Sequence, residues 1–373
     1  MSKVQLGIIG SGKMGSQHAG SILKGKVSNA ELTAVADIDP AQLKKAKEMC
    51  GEHLHVYESA EALIASGTCE AVIIAAPHYF HPPMAIAAMK AGIHVLVEKP
   101  AGVYTKQVKE MDRVAAENKN VIYAADFNQR TNPLYQKLKE MIETGELGKV
   151  KRTIWIMSDR YRSQSYYDQG GWRATWDGEG GGVLLNQNPH NLDLWQWMCG
   201  MPKRVKANVY YGKHRNIEVE DDVTALVEYE NGATGCYITT VGDAPGTNRL
   251  EVDGERGKIV IEGDKMKFYR LRTPEPEFNA SYQGGLGKPE VWECDSPVKG
   301  TYTSHPGIVS NFCDAILKGT KLIAPGEEGI LGLQISNAIH LSSWTGGNWV
   351  DLPVDDELFL EKLQERCKNP ITQ

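Results

Sequence analysis

From Val4 to Gly15 the chain reads VQLGIIGSGKMG. Val4, Leu6, Ile8 and Ile9 make a dense apolar strand, the kind buried on both faces of a parallel sheet. Gly10, Gly12 and Gly15 then spell G-x-G-x-x-G at the start of a helix. The first glycine permits a tight turn, the second lets backbone approach a pyrophosphate, and the third lets the helix pack on the strand. The helix N-terminus, through Lys13 and Met14, adds free N–H groups and partial positive charge. A second strand, Glu31 to Ala36, ends in Asp37, 22 residues after Gly15. That is the position of the acidic residue that holds ribose hydroxyls, with Ile38 beside it. Gly7 to Lys13 nearly spells a nucleoside-triphosphatase phosphate loop, but Met14 stands where a magnesium-binding hydroxyl is needed. Asp37 would repel a 2′-phosphate, and no Arg follows it directly. The expected cofactor is therefore NAD, ahead of NADP.

The 373 residues suffice for two well-cored domains, and 41% apolar with 24% charged residues is an ordinary globular composition. A net charge of -6 leaves no general footprint for nucleic acid or an anionic membrane. No apolar run is long enough to span a bilayer. The first strand begins almost at once, so no secretory leader is expected. The seven cysteines are scattered and never spaced CxxC, which fits a reducing cytoplasm and argues against a disulfide framework or zinc site. No metal is expected.

The alternation of strands and helices continues. Helices are read at 40–50, 60–66, 84–91 and 105–118, with strands at 56–57, 71–76, 94–97 and 121–125. The strand at 71–76 runs into Ala76-Pro77-His78, at the sheet end where ligands bind in open parallel sheets. After residue 125 the character changes. An amphipathic helix at 133–144 precedes strands at 150–158, 203–211, 223–229, 234–241, 248–252, 258–262 and 267–270, with turns such as Asn231-Gly232 between them. Later helices are read at 308–317 and 329–343. The fold class is α/β: a doubly wound parallel-sheet (Rossmann) domain over 1–125, then an α+β domain over 126–373 with an open, mostly antiparallel sheet.

Three segments carry a resemblance to the glucose-fructose oxidoreductase, inositol dehydrogenase and MocA family. APHYFHPPMAIAAMKAGIHVLVEKP, ending at Pro100, resembles its hallmark. FNQRTNPLYQKLKEMIETGELGKV resembles the entry to its second domain, and GGGVLLNQNPHNLDLWQWMCGMP resembles its catalytic helix region. The resemblance covers nearly the whole chain. It implies a cis Lys99–Pro100 bond, catalytic roles for Lys99 and His190, and a subunit interface on the second-domain sheet, hence a homodimer or homotetramer. By themselves, a lysine at a strand end reads as a surface residue and a lone histidine as a core residue.

Asn186 departs from the family pattern, which commonly has Asp four residues before the histidine. An amide cannot titrate but can hydrogen-bond a substrate hydroxyl. The base role then falls on His190 with Lys99. Asp193, the nearby carboxylate, reads as helix support. Asn188-Pro189 looks like a helix start, whereas the resemblance implies a start near Gly182 with a kink at Pro189. The resemblance also brings Ala76, Pro77, His81, Glu98, Asn128, Trp172 and Arg173 to the cofactor, and Arg160, Tyr161 and Trp176 to the sugar. Trp195 and Trp197 read as packing residues.

The expected activity is NAD-dependent hydride transfer from a ring secondary hydroxyl of a sugar, glycoside or cyclitol, plausibly a pyranoside 3-dehydrogenase. Inositol dehydrogenation, a glycosidase that uses NAD transiently, and a non-enzymatic dinucleotide-binding regulator are the alternatives.

Overall fold

The computed structural model describes residues 2–370, which form two compact units. The first holds six parallel strands: β1 (Val4–Ile9), β2 (Ala30–Ala36), β3 (His55–Tyr57), β4 (Ala71–Ile74), β5 (His94–Val97) and β6 (Tyr123–Ala125). Their order is β3-β2-β1-β4-β5-β6. Helices α1 (Lys13–Leu23), α2 (Pro40–Cys50), α3 (Ala60–Ala65), α4 (His81–Lys90) and α5 (Thr105–Glu117) connect them. Side chains start two of these helices: Asp39 accepts from Ala41 N, and Ser59 from Ala62 N. α4 begins at His81, earlier than its sequence suggested. Pro82 and Pro83 fall in its first turn, where their missing N–H groups cost nothing. Chain order reverses between β1 and β4, which opens a crevice at the strands' C-terminal ends.

The second unit is built on nine strands. After α6 (Pro133–Glu143) come β7 (Val150–Met157), the short α7 (Gln164–Tyr167), and α8 (Pro189–Cys199). Strands β8 (Arg204–Tyr211), β9 (Glu220–Glu228), β10 (Thr234–Thr240), β11 (Asn248–Gly254), β12 (Gly257–Glu262) and β13 (Lys265–Leu271) follow. Helix α9 (Glu275–Ser281) and strand β14 (Val291–Asp295) come next, and β15 (Val350–Asp351) closes the other edge. The order is β14-β13-β12-β11-β7-β10-β9-β8-β15, and only the β7–β10 pair is parallel. Burial alternates along β8 and β10, so one sheet face is packed and the other is open. On the packed side Trp195 stacks on Tyr237 and donates Nε1–H to Thr153, as a packing residue should.

The expected boundary at 125/126 is not where the first unit ends. That unit runs to Thr131, includes Gly178–Gly180, and takes back Tyr302–Leu333. The returning segment carries α10 (Ser304–Lys318). Ile308, Val309, Phe312 and Cys313 on α10 join the first unit's apolar core, and Asn29 donates to Ser310 O and Asp314 Oδ1. The chain then passes through α11 (Gly329–Trp344) and α12 (Asp356–Lys368). β14, β15 and α12 have no counterpart in the sequence reading: β14 and β15 are edge strands, and α12 follows an acidic linker.

Candidate functional site

In the first unit the glycine turn lies at the β1/β4 crevice. Gly10 has φ +90, and a Cβ there would lie 2.7 Å from Ala75 O. A Cβ on Gly15 would lie 1.9 Å from Gly10 O, so helix and turn touch through backbone. Gly12 is different: nothing stands within 4 Å of the Cβ it lacks, so its backbone borders open space. Gly12 and Lys13 are exposed, and among the described residues no side chain caps the N-terminus of α1. Asp37, at the end of β2, accepts Ser11 N at 2.6 Å and Ser11 Oγ at 3.0 Å through Oδ2, and Asp39 N at 2.9 Å through Oδ1. Next to it Ile38 is 88% exposed, an apolar surface without protein cover. Ala76 and Pro77 at the end of β4 are half-buried. An open glycine backbone, an uncapped helix start and a carboxylate about one strand away fit a dinucleotide.

Lys99 follows β5, is half-buried, and is joined to Pro100 by a cis bond. Beneath it Glu98 is buried. Its Oε2 accepts Lys99 N at 3.2 Å, and its Oε1 lies 2.7 Å from His18 Nε2. Asp126, just past β6, and His305, on α10, complete a cluster, with Asp126 Oδ2 2.9 Å from His305 Nδ1 and 3.5 Å from His18 Nε2. Burial pushes the Glu98 carboxyl up, but the hydrogen bond and charge of His18, helped by His305 and Lys99, outweigh it and hold it down to about 2. Burial pushes Asp126 up, the Glu98 charge adds to this, and the two imidazoles do not cancel it. Burial works against charge on His18 and His305, yet their carboxylate partners raise both.

Several cofactor-side expectations change here. His81 is buried, with Nε2 2.6 Å from Ala76 O and Nδ1 2.7 Å from Pro100 O. It pins the β4 loop to the Lys99–Pro100 segment instead of offering a nitrogen to a ligand, and burial lowers its pKa. Glu98 likewise supports Lys99 from below. Asn128 is buried and donates to Tyr302 and Ser304 at 3.2 and 3.0 Å. His78 is buried with Nδ1 2.9 Å from Glu179 O.

In the second unit a π-helical turn over Val183–Gln187 leads into α8, with Asn188 N bonding Val183 O at 2.8 Å. Both readings of this region therefore hold in part: the α-helix starts at Pro189, and a wider turn precedes it. Buried Glu220 on β9 accepts Gly182 N at 2.7 Å and Leu184 N at 2.9 Å, satisfying the turn's first donors. A Cβ on Gly182 would stand 2.1 Å from Glu220 O. Buried Asn188 donates to Thr239 Oγ1, which donates on to Met157 O at 2.8 Å. From Gly181 to Gln196 every residue is buried except Asn186 and His190, which are half-buried. Asp193 is fully buried and accepts from Gln196 at 3.1 Å, a supporting role.

Arg173 lies with its guanidinium 4.8 Å from the Trp172 ring and donates to Tyr166 Oη at 3.1 Å. Arg160 is half-buried, and Tyr161 is exposed with Arg215 over its ring. Trp176 corrects the sequence reading. It is 1% exposed, enclosed by Tyr211, His340 and Trp344 with ring centroids within 5.4 to 5.7 Å, and has no face for a sugar. Burial pushes the Cys69 and Cys199 thiols up to about 11 and about 12, so neither serves as a thiolate nucleophile. Ser11, His18, Asp126, Glu220 and His305 are absent from the sequence reading. His18, a histidine on the buried face of α1 close to the glycine turn, was the one with a local signal.

The comparisons with known proteins agree with this anatomy. A model described as an oxidoreductase family with an NAD-binding Rossmann fold, GFO/IDH/MocA, matches residues 4–126, and that family's C-terminal domain model matches residues 135–260. The chain is 26% identical over 351 residues to the scyllo-inositol 2-dehydrogenase (NADP(+)) IolW of Bacillus subtilis, covering 91% of this chain and 94% of that protein. It is 24% identical over 398 residues to levoglucosan dehydrogenase of Pseudarthrobacter phenanthrenivorans, covering 95% and 99%. A crystal structure of the WlbA dehydrogenase from Bordetella pertussis, in complex with NADH and UDP-GlcNAcA, matches with a TM-score of 0.79 at 26% identity, covering 95% of this chain and 100% of that one. With a glycine-turn sheet in one unit and a mostly antiparallel sheet in the other, each matched by its own model, the chain belongs to the GFO/IDH/MocA family of NAD-binding oxidoreductases.

Proposed function

We propose that this dehydrogenase oxidises a ring secondary hydroxyl of a sugar, glycoside or cyclitol, with Lys99 and His190 as its catalytic residues. The observation that carries the reading is the selective accessibility of Asn186 and His190 within an otherwise buried turn and helix. An amide and an imidazole one helical turn apart suit a hydroxyl: His190 takes its proton, and Asn186 fixes its direction. The Lys99 ammonium stabilises the alkoxide that forms, and the Lys99 backbone N–H is held at the strand end by its bond to Glu98. When bound, NAD supplies the hydride acceptor. Gly10, Gly12, Lys13, Met14 and Gly15 would hold its pyrophosphate, Asp37 its ribose hydroxyls and Ile38 its adenine face. Ala76 and Pro77 would border the nicotinamide end, and Trp172 and Arg173 would add to cofactor binding. Arg160 and Tyr161 would contact the sugar. Inositols belong in the substrate set because the relatives include a scyllo-inositol dehydrogenase.

The test is NADH formation from NAD across pyranoses, pyranosides and inositols. Turnover on at least one ring polyol is expected. Turnover confined to acyclic alcohols or 2-hydroxy acids would contradict the reading. Glycoside hydrolysis with no NADH build-up would mark a transient use of NAD instead.

A further inference from the structure

Three buried titratable side chains and one half-buried one lie under Lys99, and they come from four separate elements. His18 is on α1, Glu98 ends β5, Asp126 follows β6, and His305 is on α10. Their donor atoms all lie within 4.8 Å of one another. We propose that His18, Glu98, Asp126 and His305 form a metal-free, proton-sharing network that sets the position and the charge of Lys99, with Asp126 and His305 as positioning residues acting through Glu98. This rests on the reading of Lys99 as a catalytic ammonium.

The geometry favours protons over a cation. Four nitrogen and oxygen donors held tetrahedrally 2.0–2.1 Å from zinc would stand about 3.3 Å apart. Here His18 and Glu98 meet at 2.7 Å, and His305 and Asp126 at 2.9 Å, which are hydrogen-bond contacts. The two pairs are cross-linked: His18 Nε2 lies 3.5 Å from Asp126 Oδ2, His305 Nδ1 lies 3.9 Å from Glu98 Oε1, and the imidazoles meet edge to face at 5.5 Å. Among the described residues Asp126 Oδ1 is buried without a hydrogen-bond partner, so that carboxylate is compensated through Oδ2. Two buried carboxylates cannot stay charged without cations, and the imidazoles are the partners at hand. The output is the Glu98 carboxylate, whose second oxygen holds Lys99 N. The other charged or titratable groups facing the network are Lys99 itself, whose charge acts on Glu98, and His81 on α4, which feels the charge of Glu98. With Asn186 in place of a titratable residue, proton control on the substrate side falls to His190, and this network supplies it on the Lys99 side.

The experiment uses the free full-length protein, so it reads the network without turnover. Nuclear magnetic resonance follows the imidazoles, the Lys99 backbone N–H and the Lys99 ε-carbon across pH, with Lys99 assigned by its loss in Lys99→Met. In the wild type, His18 and His305 should titrate above 6.5, and the Lys99 N–H should show an inflection at their midpoint. In Asp126→Asn the Lys99 midpoint should fall by about one pH unit, a tenfold loss of proton affinity, and that of His305 should fall with it. Histidines that titrate near 6.5 with no echo at Lys99 would overturn the proposal, and the wild-type measurement suffices if Asp126→Asn does not fold. A divalent cation retained at one per chain after chelator dialysis would overturn it as well. Turnover with a flat titration would sink the network and leave the dehydrogenase reading intact. A coupled titration without turnover would do the reverse.

Discussion

Asp37 ties down the glycine turn through Ser11, and we propose that the same carboxylate holds the ribose hydroxyls. Asp37→Ala should weaken NAD binding by about tenfold or more, because hydrogen bonds to a charged group are lost. NADP should lose less, since its 2′-phosphate no longer meets a carboxylate, so the NAD:NADP preference measured by paired titrations should narrow. An unchanged ratio would remove Asp37 from cofactor choice. At this scale the sequence was readable where the chemistry is local. Gly10, Gly12, Gly15 and Asp37 lie in a short motif whose spacing has a mechanical reason, whereas Lys99 stands out only through the family resemblance. His305 lies 179 residues from its partner Asp126, and no spacing rule joins them. Trp176 was misread for a related reason: an aromatic residue in a loop looks available until the tertiary neighbours that enclose it are known.

Among elements, the π-helical turn is the informative one. It puts Asn186 before a helix that starts at Pro189, and Glu220 on a distant strand satisfies the turn's N–H groups. Glu220→Gln keeps the shape but leaves one buried N–H facing an amide NH₂. It should cost about 1–3 kcal/mol by chemical denaturation and lower the turnover rate through Asn186 and His190. A variant with wild-type stability and rate would show that the turn holds itself. The two sequence readings of this region conflict because each covers one half: Asn188-Pro189 is a helix start by local rules, and the turn before it has its first N–H groups satisfied by Glu220 on β9. Long periodic elements such as α2, whose bounds match its sequence reading, needed no such help. The short edge strands β14 and β15 carry little pattern and were missed.

For the whole molecule, α10 leaves the second unit's run of sequence and completes the first unit's core, which an amphipathic pattern alone does not announce because it names no partner. The sheet of the second unit raises a further question. Strand register aligns Lys206, Leu226, Cys236, Ile154 and Glu251 across its open face, and Ile238 and Ile156 lie beside one another in a neighbouring row. Leu226 is 48% exposed. We propose that this face, through Leu226, Ile154, Ile238 and Ile156, is the interface of a homodimer or homotetramer. Light scattering should give two or four times 41.1 kDa, and Leu226→Asp should yield monomers. A monomeric wild type would refute the interface. The central claim, that Lys99 and His190 carry out the alcohol chemistry on an NAD-binding scaffold, is tested most directly by measuring NADH affinity and single-turnover hydride transfer together in Lys99→Ala and His190→Ala. Both variants should bind NADH as the wild type does and transfer hydride about 10²–10⁴-fold more slowly. Wild-type transfer rates in either variant would contradict the account.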